Sequence, residues 1–99
     1  MAKVILRKEA INDINRIWDY TFAKWSEKQA DKYYATVKMA CNGIGESPDI
    51  GKEYDGISKN LLGIKPGKHI IFYQQISSDR IEIIRILHEQ MDLKNRITE

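Results

Sequence analysis

The last third of the chain carries the residue types that phosphodiester chemistry requires. A cationic cluster would hold a phosphate and stabilise its developing charge, while a general base and a general acid would move the protons. The candidates, in chain order, are Lys65, Lys68, His69, Tyr73, Arg80, Arg85 and His88. They lie in or beside segments rich in Ile, Phe and Tyr, which predict strands. Strand alternation therefore decides which of these side chains share a face.

Tyr73 has no row of basic neighbours on its predicted face. Alternation along the strand places Ile71 and Gln75 on either side of Tyr73. One histidine without a partner is weak support for acid–base catalysis, although neutral imidazole can serve in either role. The sequence therefore favours a binding surface over a phosphate-cleaving site, and cleavage of RNA stays as the alternative.

Arg85 and His88 flank the end of the last predicted strand, where both could contact a target molecule. A structural role is equally open for each residue. Arg85 could pair with Asp92 or Glu82, and His88 could end the strand by bonding the backbone. Met91 is predicted to pack back onto the core, and Asp92 to cap or hold the tail. The candidate target contacts are Tyr73, Arg85, His88, Met91 and Asp92.

The remaining reactive side chains do not form a recognisable metal or nucleophile site. Cys41 is the only cysteine, so it can form neither an intrachain disulfide nor a cysteine cluster. Its helical spacing after Val37 predicts a small buried residue. Asp49, Glu53 and Asp55 lack the spacing of a calcium-binding loop. We therefore predict no metal and no cofactor.

Four aromatic residues in the first half could be interpreted as a platform on which bases stack. These are Trp18, Trp25, Tyr33 and Tyr34. Their spacing of three and four residues places them on the apolar stripes of two predicted helices. Packing in the core, or between the helices, is therefore the favoured interpretation.

Composition limits the partners that the chain could have. The 99 residues have a formal charge of +2, with 42% hydrophobic and 30% charged side chains, which is typical of a single globular domain. No stretch forms a basic arm, so we expect no strong or sequence-specific nucleic-acid binding. The N-terminus has no apolar run of signal-peptide length and no segment approaches a membrane span, so the cytoplasm is the expected location.

Two helices are predicted in the first half, after a short strand at residues 3–7. The first covers residues 9–24, with an apolar stripe from Ala10 to Trp25 and with Asp13 mostly off that stripe. Ser26 and Gln29 then have the form of a capping box, so the second helix should start directly after Trp25. Gly43 and Gly45, and then Ser47-Pro48-Asp49, are predicted to end it. Two helices joined this tightly form an antiparallel hairpin.

Three strands are predicted in the second half, at residues 60–65, 69–76 and 80–87. Turns at Pro66-Gly67 and Ser78-Asp79 imply an antiparallel meander. The N-terminal strand would join this sheet, and the helical hairpin would cover one face. The fold class is therefore α+β in a single domain over residues 1–99, with 93–99 as a mobile tail that only Leu93 and Ile97 would anchor.

This order of elements resembles the ParE toxins of the RelE/ParE superfamily. The resemblance spans the chain up to the tail, and residues 85–92 are its most specific block. Ser26 and Lys52 depart from the family pattern, in which glycine and arginine are usual. The matching residues are Ala10, Asp13, Ile17, Trp18, Tyr20 and Trp25, then Gln29, Ala30 and Tyr33, residues 48–51, Gly67, His69, residues 71–73, Ile83, residues 85–88, Met91 and Asp92.

The resemblance implies the toxin half of a bacterial type II toxin–antitoxin pair. A ParD-like antitoxin would wrap the toxin, and the target would be DNA gyrase, inhibited by binding. A ribosome-dependent mRNA endonuclease, as in the RelE branch, is the alternative, and a non-toxic family member is a third. The implied antitoxin contacts are Tyr20, Phe22 and whichever of Tyr33 and Tyr34 remains outside the core.

Overall fold

The computed structural model describes residues 2–98 and contains three helices and five strands within that range. Met1 and Glu99, which the predicted domain and tail include, lie outside the described residues. The elements in chain order are β1 (Lys3–Leu6), α1 (Lys8–Lys24), α2 (Glu27–Glu46), β2 (Lys52–Glu53), β3 (Leu62–Ile64), β4 (His69–Ser77), β5 (Arg80–His88) and α3 (Leu93–Thr98).

The sheet is mixed, with the strand order β1-β5-β4-β3-β2. The predicted meander is confirmed, since β3, β4 and β5 pair antiparallel. Two features differ from the prediction. Strand β1 joins the sheet by running parallel to β5, with Lys3 opposite Arg80, because the helical hairpin supplies the long crossover that parallel pairing requires. The stretch between the second helix and residues 60–65, for which the sequence predicts no strand, contains β2, which pairs with β3.

The tight junction between the helices forms as the capping pattern predicts. Ser26 is the N-cap of α2, and its hydroxyl accepts a hydrogen bond from the backbone N–H of Gln29 at 3.1 Å. The helix continues through Gly43 and Gly45, so neither glycine ends it as predicted, and it ends at Glu46, directly before the predicted stop at Ser47-Pro48-Asp49. Gly45 lies against the start of β1, where its carbonyl oxygen accepts from the N–H of Ala2 at 2.9 Å. Close packing, and not helix termination, accounts for this glycine.

Both faces of the sheet are covered. The larger core lies between the sheet and the helical hairpin. A second cluster, which includes Leu61 and Phe72, occupies the opposite face, and Tyr54, Ile57, Leu93 and Ile97 pack against it. The segment predicted as a tail forms α3, with both predicted anchors in contact with this cluster. Within residues 2–98, no helix is both long and apolar enough to cross a membrane.

The apolar stripe of α1 differs from the prediction at two positions. Trp25 is 70% exposed, because it is the C-cap of α1 and the backbone leaves the helix there. Asp13 is 5% exposed and is the one buried charged residue in the part of the chain that the structure describes. Buried carboxylates persist where hydrogen bonds and an opposite charge compensate for lost hydration, and β5 provides both for Asp13, as described below.

Candidate functional site

A groove of about 800 Å³ runs between the C-terminal half of α1 and the adjoining ends of β4 and β5. We call it the α1–sheet groove. Apolar side chains contributed by α1, by its C-cap and by the segment after β5 include Ile17, Trp25 and Met91. Among the described residues, the lining also includes five cationic side chains and a single carboxylate, that of Asp13. The cationic side chains are Arg16, Lys24, Lys68, Arg85 and Arg96.

A buried ion pair between Asp13 and Arg85 joins α1 to β5 beside this groove. The guanidinium donates through Nε to Oδ2 at 2.8 Å and through Nη2 to Oδ1 at 3.0 Å. The backbone N–H of Ile86 also donates to Oδ2, at 3.0 Å, and Nη1 of Arg85 donates to the carbonyl oxygen of Arg96 at 2.9 Å. The bidentate geometry is the strong form of this pairing. Arg85 therefore connects three elements and has a structural role.

The predicted partners of Arg85 are occupied elsewhere. Glu82 accepts hydrogen bonds from Arg7 and Arg80, each at 2.9 Å. These contacts lower the pKa of Glu82, and the bond from Arg7 has the largest effect. Asp92 accepts from the backbone and side-chain amides of Asn95 at the start of α3, which agrees with its predicted capping role. Met91 is half exposed and lines the groove, so the prediction that it packs onto the core is wrong.

His69 and His88 lie opposite each other on β4 and β5, at one end of the groove. Their ring centroids are 5.2 Å apart, in an edge-to-face arrangement. The hydroxyl of Tyr33 lies 2.8 Å from Nδ1 of His69 and accepts from the backbone N–H of Lys68 at 3.2 Å. Nδ1 of His88 accepts from the backbone N–H of Gln90 at 3.1 Å. The structure thus supplies the partner histidine that the sequence did not reveal.

These hydrogen bonds determine which imidazole nitrogens carry protons. His88 uses Nδ1 as an acceptor, so its neutral ring is protonated on Nε2. Nδ1 of His69 is the acceptor that the described residues offer to the proton of the Tyr33 hydroxyl. We therefore assign Tyr33 as the donor, which places the His69 proton on Nε2 as well. Both neutral rings then present N–H donors. A general base needs a free lone pair, and neither Nε2 offers one, so the pair is suited to binding an acceptor.

The pKa of His69 is lowered to about 4. Burial of the ring has the largest effect, the adjacent His88 lowers the pKa further, and Asp13 opposes both. Charged and titratable groups therefore face this ring from α1, α2 and β5, and its neutral form prevails at neutral pH.

We expect this shift to make stability depend on pH. The unfolded chain binds the His69 proton near pH 6.5, whereas the folded chain binds it only near pH 4. The unfolded state thus holds more protons between these values, and the free energy of unfolding falls as pH drops through that window. Urea unfolding at about pH 7 and about pH 5 should show a smaller loss in His69→Gln than in the unmodified chain. Equal losses would contradict the expectation.

Tyr73 does not lie on a surface, contrary to its prediction as a target contact. Its side chain is fully buried. The hydroxyl donates to the carbonyl oxygen of Pro48 at 2.7 Å and accepts from the backbone N–H of Gly51 at 2.9 Å. Burial raises the pKa of this phenol, and the bond from Gly51 opposes that effect. Tyr73 therefore anchors the loop after α2 to the sheet.

Replacing Tyr73 with phenylalanine should lower the free energy of unfolding by about 1–3 kcal/mol, because a partly buried carbonyl and a partly buried N–H each lose their partner. Urea unfolding would measure the change. Tyr20→Phe removes a hydroxyl from an exposed tyrosine and should alter stability by less than about 0.5 kcal/mol. Equal effects of the two substitutions would contradict the anchoring role.

The structure places the four predicted antitoxin contacts at three kinds of location: in the groove, on the exposed surface and against the core. Tyr20 is exposed and Tyr33 half buried, and both line the α1–sheet groove. Phe22 is exposed away from the groove lining and stacks on Trp18 with ring centroids 5.2 Å apart. Tyr34 packs against the core beneath the helices. The prediction that Trp18, Trp25, Tyr33 and Tyr34 serve packing is wrong for Trp25, which lines the groove.

Cys41 is buried, and burial raises the pKa of its thiol to about 11. It is therefore a packing residue, as its spacing predicts, because the reactive thiolate form is disfavoured. Among the described residues, no group of three or more His, Cys, Asp or Glu side chains could hold a metal ion.

Comparison with known proteins agrees with this architecture. Residues 4–93 match the family model described as the ParE toxin of the type II toxin–antitoxin system parDE. Similar proteins include Toxin ParE1 of Mycobacterium tuberculosis, 27% identical over 97% of this chain and 98% of the relative. Toxin ParE1 of Caulobacter vibrioides is 29% identical over 90% of this chain and 91% of the relative.

The fold is also similar to a solved structure described as the chromosomal ParDE TA system from P. aeruginosa. The TM-score is 0.76 at 13% sequence identity, covering 89% of this chain and 96% of that chain. Because the family match spans β1 through the start of α3, the chain belongs to the ParE toxin family of type II toxin–antitoxin systems.

Proposed function

We propose that the chain acts in the cytoplasm as a toxin that inhibits DNA gyrase by binding, without cleaving a substrate, and that a ParD-like antitoxin silences it. The observation that carries the proposal is the α1–sheet groove, an open concave surface with apolar, aromatic and cationic side chains together. Concave apolar surfaces with a few convergent polar groups are characteristic of binding sites.

The groove fits an amphipathic helical segment of the antitoxin. Apolar anchors would contact Ile17 and Trp25, and acidic residues on the flanks of the segment would meet the cationic side chains of the lining. Helix-in-groove binding uses such a face. A second mode is open at β1, which forms one end of the sheet order and could accept an added strand through its backbone.

Binding of the antitoxin should raise the melting temperature of the toxin. A ligand that binds only the folded state stabilises it by roughly 2.7 kcal/mol at one hundred times its dissociation constant. Differential scanning calorimetry of the free chain and of the chain at saturating antitoxin would measure the shift. Equal melting temperatures would count against the partnership, since a segment that folds on binding needs a large contact surface.

A ribosome-dependent mRNA endonuclease is the second candidate, and the pairing of His69 with His88 is the observation that favours it. Three features weigh against it. Both rings present N–H donors, Arg85 is held by Asp13, and Tyr73 is fully buried. Electrostatic stabilisation of a transition state needs donors aimed at the reacting group, and Arg85 and Tyr73 are already committed to the fold.

Two assays with the purified chain separate the candidates. Inhibition of DNA supercoiling by purified gyrase, relieved by the antitoxin, supports the proposal. Cuts in ribosome-bound message in a translating extract, lost in His88→Leu, would replace it with the endonuclease. Normal growth on overproduction, with no effect in either assay, would indicate a family member that only binds its partner.

A matched pair of variants tests whether the proposed target surface includes the exit from β5. Met91 lies beside His88 in the groove lining, whereas Met39 is 73% exposed on α2 and away from the groove lining. Met91→Glu should weaken gyrase inhibition by about tenfold or more, the effect of a truncated contact worth 1.4 kcal/mol. Met39→Glu should leave it unchanged. Equal inhibition by both variants would remove this surface from the target contacts.

A further inference from the structure

We infer that the end of the groove formed by His69 and His88 is a recognition site for one carboxylate, supplied by an aspartate or glutamate of the antitoxin segment. The imidazole N–H groups donate to its oxygens, while the apolar residues of the groove hold the neighbouring side chains of the segment. This inference rests on the proposed antitoxin partnership and names the group that this part of the groove recognises.

The donors are open to a ligand. In both rings Nδ1 is occupied, by the Tyr33 hydroxyl in His69 and by the Gln90 N–H in His88. Neither Nε2 has a hydrogen-bond partner among residues 2–98. No buried side-chain nitrogen or oxygen in that range lacks a partner, so both Nε2 atoms reach solvent. Two side chains that line one groove thus hold unused donors at the same end of it.

The surrounding charge favours an anion. Among residues 2–98 the only carboxylate in the groove lining is that of Asp13, and its oxygens already accept from Arg85 and from the backbone N–H of Ile86. The carboxylate of Glu89, next to His88, is paired with Lys65. Lys68 directly precedes His69 and also lines the groove. An incoming carboxylate therefore meets two carboxylates that are already paired and several cations of the lining, so electrostatic complementarity supports its approach.

The donor pattern also determines which group the site selects. An ionised carboxylate has only acceptors, whereas the amide of glutamine or asparagine places its own N–H groups against donors. A site built from donors thus discriminates against the amide, because one of its polar groups loses a partner. Two neutral N–H donors compensate the charge of a phosphate dianion poorly. His69 does not readily supply a positive charge, because burial of its ring disfavours the charged form. The site therefore favours a carboxylate over a phosphate.

The first experiment needs no antitoxin. The folded chain, labelled with ¹⁵N on its histidine rings, is titrated with N-acetylglutamate methylamide, with the matching glutamine compound, and with inorganic phosphate. We expect the Nε2 signals of both histidines to shift with the glutamate compound only. No shift with this probe, or an equal shift with the glutamine compound, would overturn the inference. Shifts with phosphate alone would overturn it in favour of a phosphate site.

The second experiment uses the toxin–antitoxin complex, with the antitoxin taken from the reading frame adjacent to that of the toxin. Each Asp or Glu of the antitoxin segment is changed to its amide. One such change should weaken binding by about ten- to a hundredfold, the effect of a lost charged hydrogen bond. The same antitoxin substitution should weaken binding little when the toxin partner already carries His88→Leu or His69→Leu. Gln75→Ala, exposed at the far end of β4, is the control and should retain the full effect.

Failure of the inference is distinct from failure of the proposed function. Suppose that the complex forms, but every antitoxin substitution that weakens binding to the unmodified toxin weakens binding to the histidine variants equally. The inference is then wrong and the partnership stands. If the unmodified chain forms no complex, the partnership is wrong and the titration still decides whether the site prefers a carboxylate. Urea unfolding of both histidine variants tests whether they are folded. If one variant does not fold, the other alone is enough to compare antitoxin binding.

Discussion

Replacing Asp13 with alanine is expected to lower the free energy of unfolding by about 3–5 kcal/mol, because it removes the carboxylate that pairs with the largely buried guanidinium of Arg85. The carboxylate is 5% exposed and accepts two hydrogen bonds from Arg85 and one from the N–H of Ile86. For a domain of this size the expected loss is a large part of the total stability. The variant should melt far below the unmodified chain.

Urea unfolding measures the effect, with Asp19→Ala as the matched control. Asp19 lies on the same helix and is exposed, so its removal should change stability by less than about 0.5 kcal/mol. Exchanging both partners for apolar residues, as Asp13→Leu with Arg85→Met, should recover much of the loss, since no unpaired charge remains buried. A small effect of Asp13→Ala would mean that the ion pair does not hold α1 on β5.

Replacing Gly45 with alanine should destabilise the fold, although alanine is the better helix former. Inside a helix, glycine to alanine normally adds about 0.5–1 kcal/mol of stability. At Gly45 the added Cβ would lie 2.7 Å from the carbonyl oxygen of Ala2 and 2.9 Å from a methyl group of Val4. A backbone oxygen cannot move aside as a flexible side chain can, so α2 must shift from β1, at a cost of about 1–3 kcal/mol.

Gly43, two residues earlier on the same helix, is the internal comparison. A Cβ at Gly43 would have no neighbour within 4 Å, so Gly43→Ala should stabilise the chain by about 0.5–1 kcal/mol. The two variants should therefore change the urea midpoint in opposite directions. A Gly45→Ala variant more stable than the unmodified chain would show that helix propensity outweighs the close approach of α2 to β1.

The ion pair between Asp13 and Arg85 also shapes the binding surface. Arg85 holds the carbonyl oxygen of Arg96, so one guanidinium joins α1, β5 and α3 at the edge of the groove. Substitutions that break this pair should weaken binding of the antitoxin in addition to stability. Met91→Glu alters only an exposed side chain and should weaken gyrase inhibition without lowering stability. The two kinds of variant thus distinguish loss of the scaffold from loss of contact.

Local patterns in the sequence determined the elements and their order. The three- and four-residue spacing of apolar side chains predicted α1 and α2, and the hydroxyl of Ser26 caps α2 as expected. The turn at Ser78-Asp79 and its isoleucine-rich flanks predicted the pairing of β4 with β5. Such features depend on residues a few positions apart, which a single sequence displays directly. Residues 85–92 likewise carried the resemblance to the family that the chain belongs to.

One contact in the site, between His69 and His88, follows from the hairpin register, although the predictions from local patterns did not include it. His69 and His88 are equally far from the turn at Ser78-Asp79, and in a simple hairpin such residues lie opposite each other. The structure brings them together despite register irregularities along the two strands. Following the hairpin register from the turn would have predicted this contact. The proton positions additionally required Tyr33 and the Gln90 N–H, which no hairpin rule supplies.

Only the tertiary structure decided the partner of Arg85, the parallel pairing of β1 and the exposure of Trp25. Asp13 and Arg85 are 72 residues apart in the chain, and β1 meets β5 across both helices. These contacts depend on how the helical hairpin packs across the sheet, because that packing decides which distant side chains meet. Periodicity identifies which face of a helix is apolar, but the burial of one charge depends on whether a distant strand provides donors. That long-range match is the physical reason the site could not be assembled from local patterns.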